Sequence, residues 1–182
     1  MDESEKDALT LYNTMRSCKD TYLAPNLNHA LDVLTDACRL YGMNNLISSY
    51  NGGKDADVIM HLLRAVAAKL QHDTGVKHRA KLVYFAVEDE FPEVLQHIEY
   101  TKKRYNLDIV QYDCGIAQNS TSTAPRCAPA FVLGTRLGDP NCGNQETYAP
   151  SSNWMPVAFM RVNAILKWEY GHVWHFLRTF TL

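Results

Sequence analysis

Apolar residues recur at helical spacing over positions 5–18 and again over 26–41, where Leu27, Ala30, Leu31, Leu34, Ala37, Cys38 and Tyr41 share one face and Gly42 supplies a stop. The pattern then shortens. Leu46–Ser49 is a brief apolar run, followed by the turn residues Asn51-Gly52-Gly53 and by renewed helical periodicity from Val58 to Leu70. Ala80–Val87 is almost unbroken in its apolar character, as expected of a parallel strand buried on both faces. It leads into the acidic turn Glu88-Asp89-Glu90-Phe91-Pro92-Glu93, where Pro92 suits the first turn of a helix over 93–105. Leu107–Tyr112 and Ala130–Gly134 read as two more strands, and Met160–Asn163 as a short edge element. Tyr170–Phe180 reads as a closing helix with Val173, Trp174 and Leu177 in one buried stripe. Between Thr135 and Phe159, Gly, Pro, Asn and Ser dominate, and so long an irregular stretch reads as a binding loop or as disorder.

Strands alternating with helices predict an α/β fold with right-handed βαβ units and an open, mostly parallel sheet flanked by helices. In such a sheet ligands sit beyond the carboxyl ends of the strands. The glycine turn, the acidic turn and the Gly134–Asp139 turn each follow directly on a strand, so all three are expected at one edge.

The chain has 182 residues, enough for one domain that buries roughly 70% of its unfolded surface without a staple. Its formal charge of −2 provides no global basic field, so no nucleic-acid partner is expected and any anion site must be locally positive. The five cysteines show no C-x-x-C spacing, which favours reduced thiols over a disulfide framework or a zinc site. The polar, acidic start lacks signal character, and no apolar run reaches membrane-spanning length. A cytoplasmic monomer without a membrane partner is the expectation.

Strand, glycine turn and helix N-terminus in that order form a site suited to phosphate, because the first helical N–H groups lack partners and carry the positive end of the dipole. Lys54 adds a cation and Asp55 an acid. The G-x-x-x-x-G-K-[ST] spacing of a Walker loop is absent. A plain turn with Asp55 as helix cap is the simpler alternative. For the acidic turn, a solvated helix start stands beside contact with a base or ribose through the backbone and one acid. His61 reads as a packed or half-exposed histidine with no part in the chemistry.

Ser49-Tyr50-Asn51-Gly52-Gly53-Lys54-Asp55 resembles the pyrophosphate-binding loop of the adenine-nucleotide α-hydrolase superfamily, which includes sulfonucleotide reductases, ATP pyrophosphatases and eukaryotic FAD synthases. Phe91-Pro92-Glu93 and the W-x-x-x-x-V-W-x-F-L pattern from Trp168 to Leu177 are similar to segments shared within the reductase-like branch. Gly134-Thr135-Arg136-Leu137-Gly138-Asp139-Pro140 and Phe159-Met160-Arg161-Val162-Asn163-Ala164-Ile165-Leu166 are more selective. They resemble the G-[TI]-R-x-x-D-P and F-M-R-[VI]-N-P-I-L segments of eukaryotic FAD synthase.

The resemblance implies a Rossmann-like sheet in a single FMN adenylyltransferase domain over 1–182. Residues 1–44 would form N-terminal helices, 45–134 the nucleotide-binding core, and 135–182 a flavin-side loop and closing helix. It implies transfer of AMP from ATP to FMN with Mg²⁺, giving FAD and pyrophosphate. ATP would meet Ser49, Tyr50, Asn51, Gly52, Gly53, Lys54, Asp55, Val87, Glu88, Gly134 and Arg136. The flavin would meet Glu90, Asp139, Trp154 and Arg161, while Asn51, Asp55, Asp139 and Arg161 would carry catalysis; no metal ligands are assigned. Trp154 reads equally as a loop anchor.

Three departures stand out. Ser151-Ser152-Asn153-Trp154-Met155-Pro156 replaces the family's Thr-Asp-x-x-Trp-Pro, Ala164 replaces a proline, and the family pattern continues past position 182 into a tail bearing arginines. Two alternatives therefore remain. One is a sulfonucleotide reductase, which needs a cysteine nucleophile in such a tail, whereas the last cysteine here is Cys142. The other is a nucleotide- or flavin-binding module without catalysis.

Overall fold

A computed structural model describes residues 2–113, 130–140, 142–152 and 158–182. Helix α1 (Glu3–Arg16) opens with a reciprocal capping box between Asp2 and Glu5, and α2 (Ala24–Tyr41) opens on a proline and ends at Gly42, whose φ is +77°. A short 3-10 turn leads to β1 (Leu46–Ser49) and then to α3 (Lys54–Thr74). The remainder runs β2 (Lys81–Ala86), α4 (Pro92–Arg104), β3 (Asp108–Asp113), β4 (Ala130–Val132), β5 (Tyr148–Pro150), β6 (Met160–Val162) and α5 (Tyr170–Thr179).

The strands form one sheet in the order β3-β2-β1-β4-β6-β5, parallel throughout except that β5 runs against β6. From β1 the chain steps outward to β2 and β3 and then returns to place β4 on the other side of β1. The strand order therefore reverses between β1 and β4, and the loops after these two strands part there, which opens a crevice at their carboxyl ends.

Buried side chains from all five described helices join a single core with Leu46, Leu82, Tyr84, Ala130, Val132 and Val162 on one face of the sheet. Leu31, Leu34, Leu62 and Leu63 in that core are fully buried, each stabilising the fold by about 2–3 kcal/mol. The opposite face carries a separate small cluster of Ile47 and Val83 with Tyr112 and Phe131 packed against it.

As the strand, turn and helix order implies, helix α3 begins at Lys54, directly after the glycines, with Lys54 and Asp55 in its first turn. Several other expectations need correction. The strand at Met160 lies inside the sheet, and the edge is β5, within the stretch read as irregular. β2 is not buried on both faces: Phe85 is exposed, because the described helices pack against the other face of the sheet. The stripe on α5 is Val173 and Phe176, whereas Trp174 is 37% exposed, turned away from the core by the helical period. Among the described residues, no helix is long and apolar enough to cross a membrane.

Candidate active site

The site is built from three short segments. Tyr50 extends the ladder one residue past β1, its N–H donating to the Val83 carbonyl at 2.8 Å. Asn51 then turns the chain: its Oδ1 accepts the Gly53 N–H at 3.0 Å, and Gly52 adopts φ +70°, a region costly for any residue with a Cβ. Gly53 caps α3 without any side-chain hydrogen bond, so the first N–H groups of this long helix remain available at the crevice.

The two glycines do different work. Gly53 lines the crevice, whereas a Cβ on Gly52 would lie 3.3 Å from Ile98 and 3.4 Å from Val94, so Gly52 lets α4 pack tightly behind the loop. Gly134 is the third close approach. A Cβ there would sit 3.2 Å from the carbonyl carbon, carbonyl oxygen and Cβ of Asp55, so the loop after β4 passes directly against the first turn of α3.

Four charged side chains meet at this contact. Lys54 Nζ lies 2.9 Å from Asp55 Oδ2 and 5.5 Å over the ring of Tyr170. Arg136 is buried beneath the loop, with Nε 2.9 Å from Asp55 Oδ1 and Nη2 donating to Asp139 Oδ1 at 3.0 Å. Its backbone N–H donates to Asp139 Oδ2 at 2.7 Å. The Arg136–Asp55 contact is an ion pair and not a hydrogen bond: Nε and Oδ1 face each other off the N–H direction and neither has a hydrogen-bond partner. Two cations thus meet two carboxylates, and their side-chain charges cancel. With these charges balanced, the positive character expected at the cleft rests on the open N–H groups of α3, because a buried guanidinium must be paired to stay buried.

The resulting cleft has a volume of about 380 Å³ and is open to solvent on one side. Ser49, Asn51, Gly53, Lys54, Asp55, Gly134 and Asp139 line it, as do Cys142 and Thr135. Tyr50 is buried behind the loop, and Arg136 supports the acids from beneath. Val87 and Glu88 are exposed at the end of β2, and Glu90 accepts hydrogen bonds from the Tyr84 hydroxyl at 3.3 Å and from the Phe91 N–H at 3.2 Å. None of these three lines the cleft.

Arg161 is also elsewhere. Its guanidinium donates to the Pro150 carbonyl at 2.7 Å and to Ser152 Oγ at 3.1 Å, tying the edge strand down. Trp154 lies outside the described residues. His61 is buried on α3, where its Nδ1 accepts from Arg64 Nε at 3.0 Å. Among the described residues, no group of three or more His, Cys, Asp or Glu is arranged to hold a metal.

Sequence reasoning missed Cys142 as a cleft residue and Arg136 as a strut between two acids. The second had a signal, because Arg136 and Asp139 stand three apart in a turn that follows a strand.

Residues 45–128 match the phosphoadenosine phosphosulfate reductase domain. The chain is 32% identical over 157 residues to a probable FAD synthase of Caenorhabditis elegans, covering 84% of this chain and 29% of that protein. It is 25% identical over 185 residues to a probable FAD synthase of Schizosaccharomyces pombe, covering 97% of this chain and 69% of that one. It shares its fold with Candida glabrata FMN adenylyltransferase in complex with FMN and the ATP analogue AMPCPP, with TM-score 0.72, 20% identity, and coverage of 96% of this chain and 64% of that one. A Candida auris phosphoadenylyl-sulfate reductase shares the fold more distantly, with TM-score 0.56, 12% identity, and coverage of 100% and 89%. The chain therefore spans under a third of the length of the worm relative.

Proposed function

We propose, from the premise that this chain is a relative of the eukaryotic FAD synthases within the phosphoadenosine phosphosulfate reductase-like superfamily, that it transfers AMP from ATP to FMN. The observation that carries this reading is the meeting of Asn51–Asp55 with Gly134–Asp139 at the strand-order switch between β1 and β4.

In this reading the FMN phosphate, already ionised, needs no general base. One of its oxygens bonds to the α-phosphorus of ATP while the bond from that phosphorus to the β-bridging oxygen breaks, and pyrophosphate leaves with the electron pair. Catalysis is then alignment and charge neutralisation. Gly53 and the first N–H groups of α3 hold the β- and γ-phosphates, with Asn51 fixing the turn and Lys54 acting as a point charge. Arg136 holds Asp55 and Asp139 on the two sides of the cleft, Asp55 toward the nucleotide and Asp139 toward the flavin. Val87 and Glu88 would meet the base or ribose at the end of β2, and Glu90, Trp154 and Arg161 the flavin.

Mg²⁺ is part of the same proposal. Such sites bind the ion through one or two carboxylates plus substrate phosphates. Asp55 lines the cleft and, with Oδ1 turned to Arg136, would offer Oδ2 as the protein's oxygen in that arrangement, and the ion would neutralise charge on the phosphates.

Incubating the chain with ATP, FMN and MgCl₂ while following FAD and pyrophosphate by chromatography tests the reading. FAD in equal yield with pyrophosphate supports it, and the absence of both refutes it. Cys142 in the cleft favours one second reading, thiolate reduction of a sulfonucleotide, which would appear as sulfite release from the same incubation with an adenylyl sulfate and a thiol reductant.

A further inference from the structure

Behind the phosphate loop, on the side away from the cleft, a second acid is engaged by groups that the reaction does not use. Asp57 stands two residues after Asp55, so the helical period turns it to the opposite side of α3. Its Oδ1 accepts the hydroxyl proton of Tyr50 at 2.7 Å, and its backbone N–H donates to the Gly53 carbonyl at 2.9 Å. Tyr50 is the residue that enters the loop and Gly53 the one that leaves it. Asp57 thus closes the loop on itself, holding one end by side chain and the other by backbone.

The third member comes from α4. His97 Nε2 lies 3.1 Å from Asp57 Oδ2 and 3.3 Å from Oδ1, and either as the Nε2–H tautomer or protonated it donates to the carboxylate. The same residue's Cδ2 lies 3.6 Å from where a Cβ on Gly52 would be, beside Val94 and Ile98. α4 therefore touches the loop at its apex and, through Asp57, at both its ends. The Asp57 side chain is only 16% exposed, and burial raises its pKa while the Tyr50 hydrogen bond and His97 oppose that rise. Tyr50 and His97 are the titratable groups that face it.

We propose that His97 is a positioning residue for the phosphate loop: through Asp57 and Tyr50 it fixes the Asn51–Gly53 backbone in the shape that receives the β- and γ-phosphates of the nucleotide. The inference rests on the nucleotide reading above and adds to it a group outside the cleft. It predicts a loss confined to the phosphate side. A misaligned loop weakens polyphosphate binding, whereas Asp139, the flavin-side acid of the cleft, is held by the loop after β4 and not by His97.

The test compares His97→Ala and His97→Gln with the unaltered chain, using calorimetric titration with inorganic pyrophosphate, steady-state turnover and thermal melting. Removing one charge-assisted donor should weaken pyrophosphate binding and raise KM for ATP about tenfold, with KM for FMN unchanged. His97→Gln, which keeps a side-chain N–H donor, should recover most of that loss. A purely structural role would lower the melting temperature and affect both substrates without rescue by glutamine, and that outcome overturns the inference. Pyrophosphate binding by His97→Ala equal to that of the unaltered chain also overturns it. Failure of the unaltered chain itself to bind pyrophosphate would remove the nucleotide reading and the inference with it.

Discussion

Replacing Arg136 with methionine removes the guanidinium while keeping most of the buried apolar stem. What is lost can be counted from the structure: one charge-assisted hydrogen bond to Asp139 and one ion pair to Asp55, with the arginine side chain 10% exposed and the acids 31% and 23%. Asp139 keeps the backbone N–H of residue 136, and Asp55 keeps Lys54, so neither acid is left bare. A charge-assisted hydrogen bond contributes about 1.5–3 kcal/mol, and the ion pair, which lacks hydrogen-bond geometry, adds about 1 kcal/mol at this depth. The total is about 3 kcal/mol, which in a domain of this size lowers the melting temperature by about 10 °C. Melting followed by circular dichroism measures this directly. FAD formation should fall about a hundredfold, because both acids lose their common support. Adding Asp139→Asn to Arg136→Met removes the unpaired charge and should return part of the stability without returning activity. A single variant melting within about 2 °C of the unaltered chain would refute the strut.

Asp55→Ala should reduce adenylyl transfer more than a hundredfold while the chain stays folded, and unchanged turnover in the FAD assay would remove its role. Cys142→Ser should leave FAD formation intact despite its place in the cleft, whereas complete loss would point to thiolate chemistry. Gly52→Ala must place a side chain at φ +70° and 3.3 Å from Ile98, so it should cost about 1–3 kcal/mol in denaturant titration and weaken ATP binding; a neutral effect would show that the loop can move away from α4. His61, buried between Arg64 and Tyr105, has its pKa pushed down to about 2, mainly by desolvation. The folded chain thus refuses a proton that the unfolded chain takes up below about pH 6.5, and stability falls as pH falls. Between pH 7 and pH 5 the loss from this group is about 2 kcal/mol, and His61→Gln, which keeps an acceptor for Arg64, should abolish it in melts across that range.

The parts of the site readable from sequence are those set by local chemistry. Gly52 needs a positive φ and Gly134 passes too close to the Asp55 backbone for a Cβ, and each lies just past an apolar run long enough to read as a strand. The parts not readable depend on pairing. Met160–Val162 is three residues long and carries no period of its own, and its interior position follows from its register with Ala130–Val132 on one side and Tyr148–Pro150 on the other. The engagement of Arg136 with both Asp55 and Asp139 is likewise a tertiary fact: the Asp139 contact is local, but the Asp55 contact exists only because β4 lies beside β1. Arg161 shows a further limit: its charge and motif position suggest a phosphate partner, while its hydrogen bond to the Pro150 carbonyl depends on an edge strand with no period to announce it.

The pairing of β1 with β4 also bears on how the chain reaches its native state. The units β1-α3-β2 and β2-α4-β3 close over short stretches of chain, whereas the Ile47–Phe131 register closes over everything between them. Long closures form late, after local ones have reduced their entropic cost. That order would put one wall of the cleft, with Asn51, Gly53 and Lys54, in place before the other, which is complete only when β4 docks and Gly134 seats against Asp55. A nucleotide that needs both walls would bind finished molecules alone and by mass action draw the population toward them. Under the proposed function, saturating ATP should therefore raise the melting temperature of the chain.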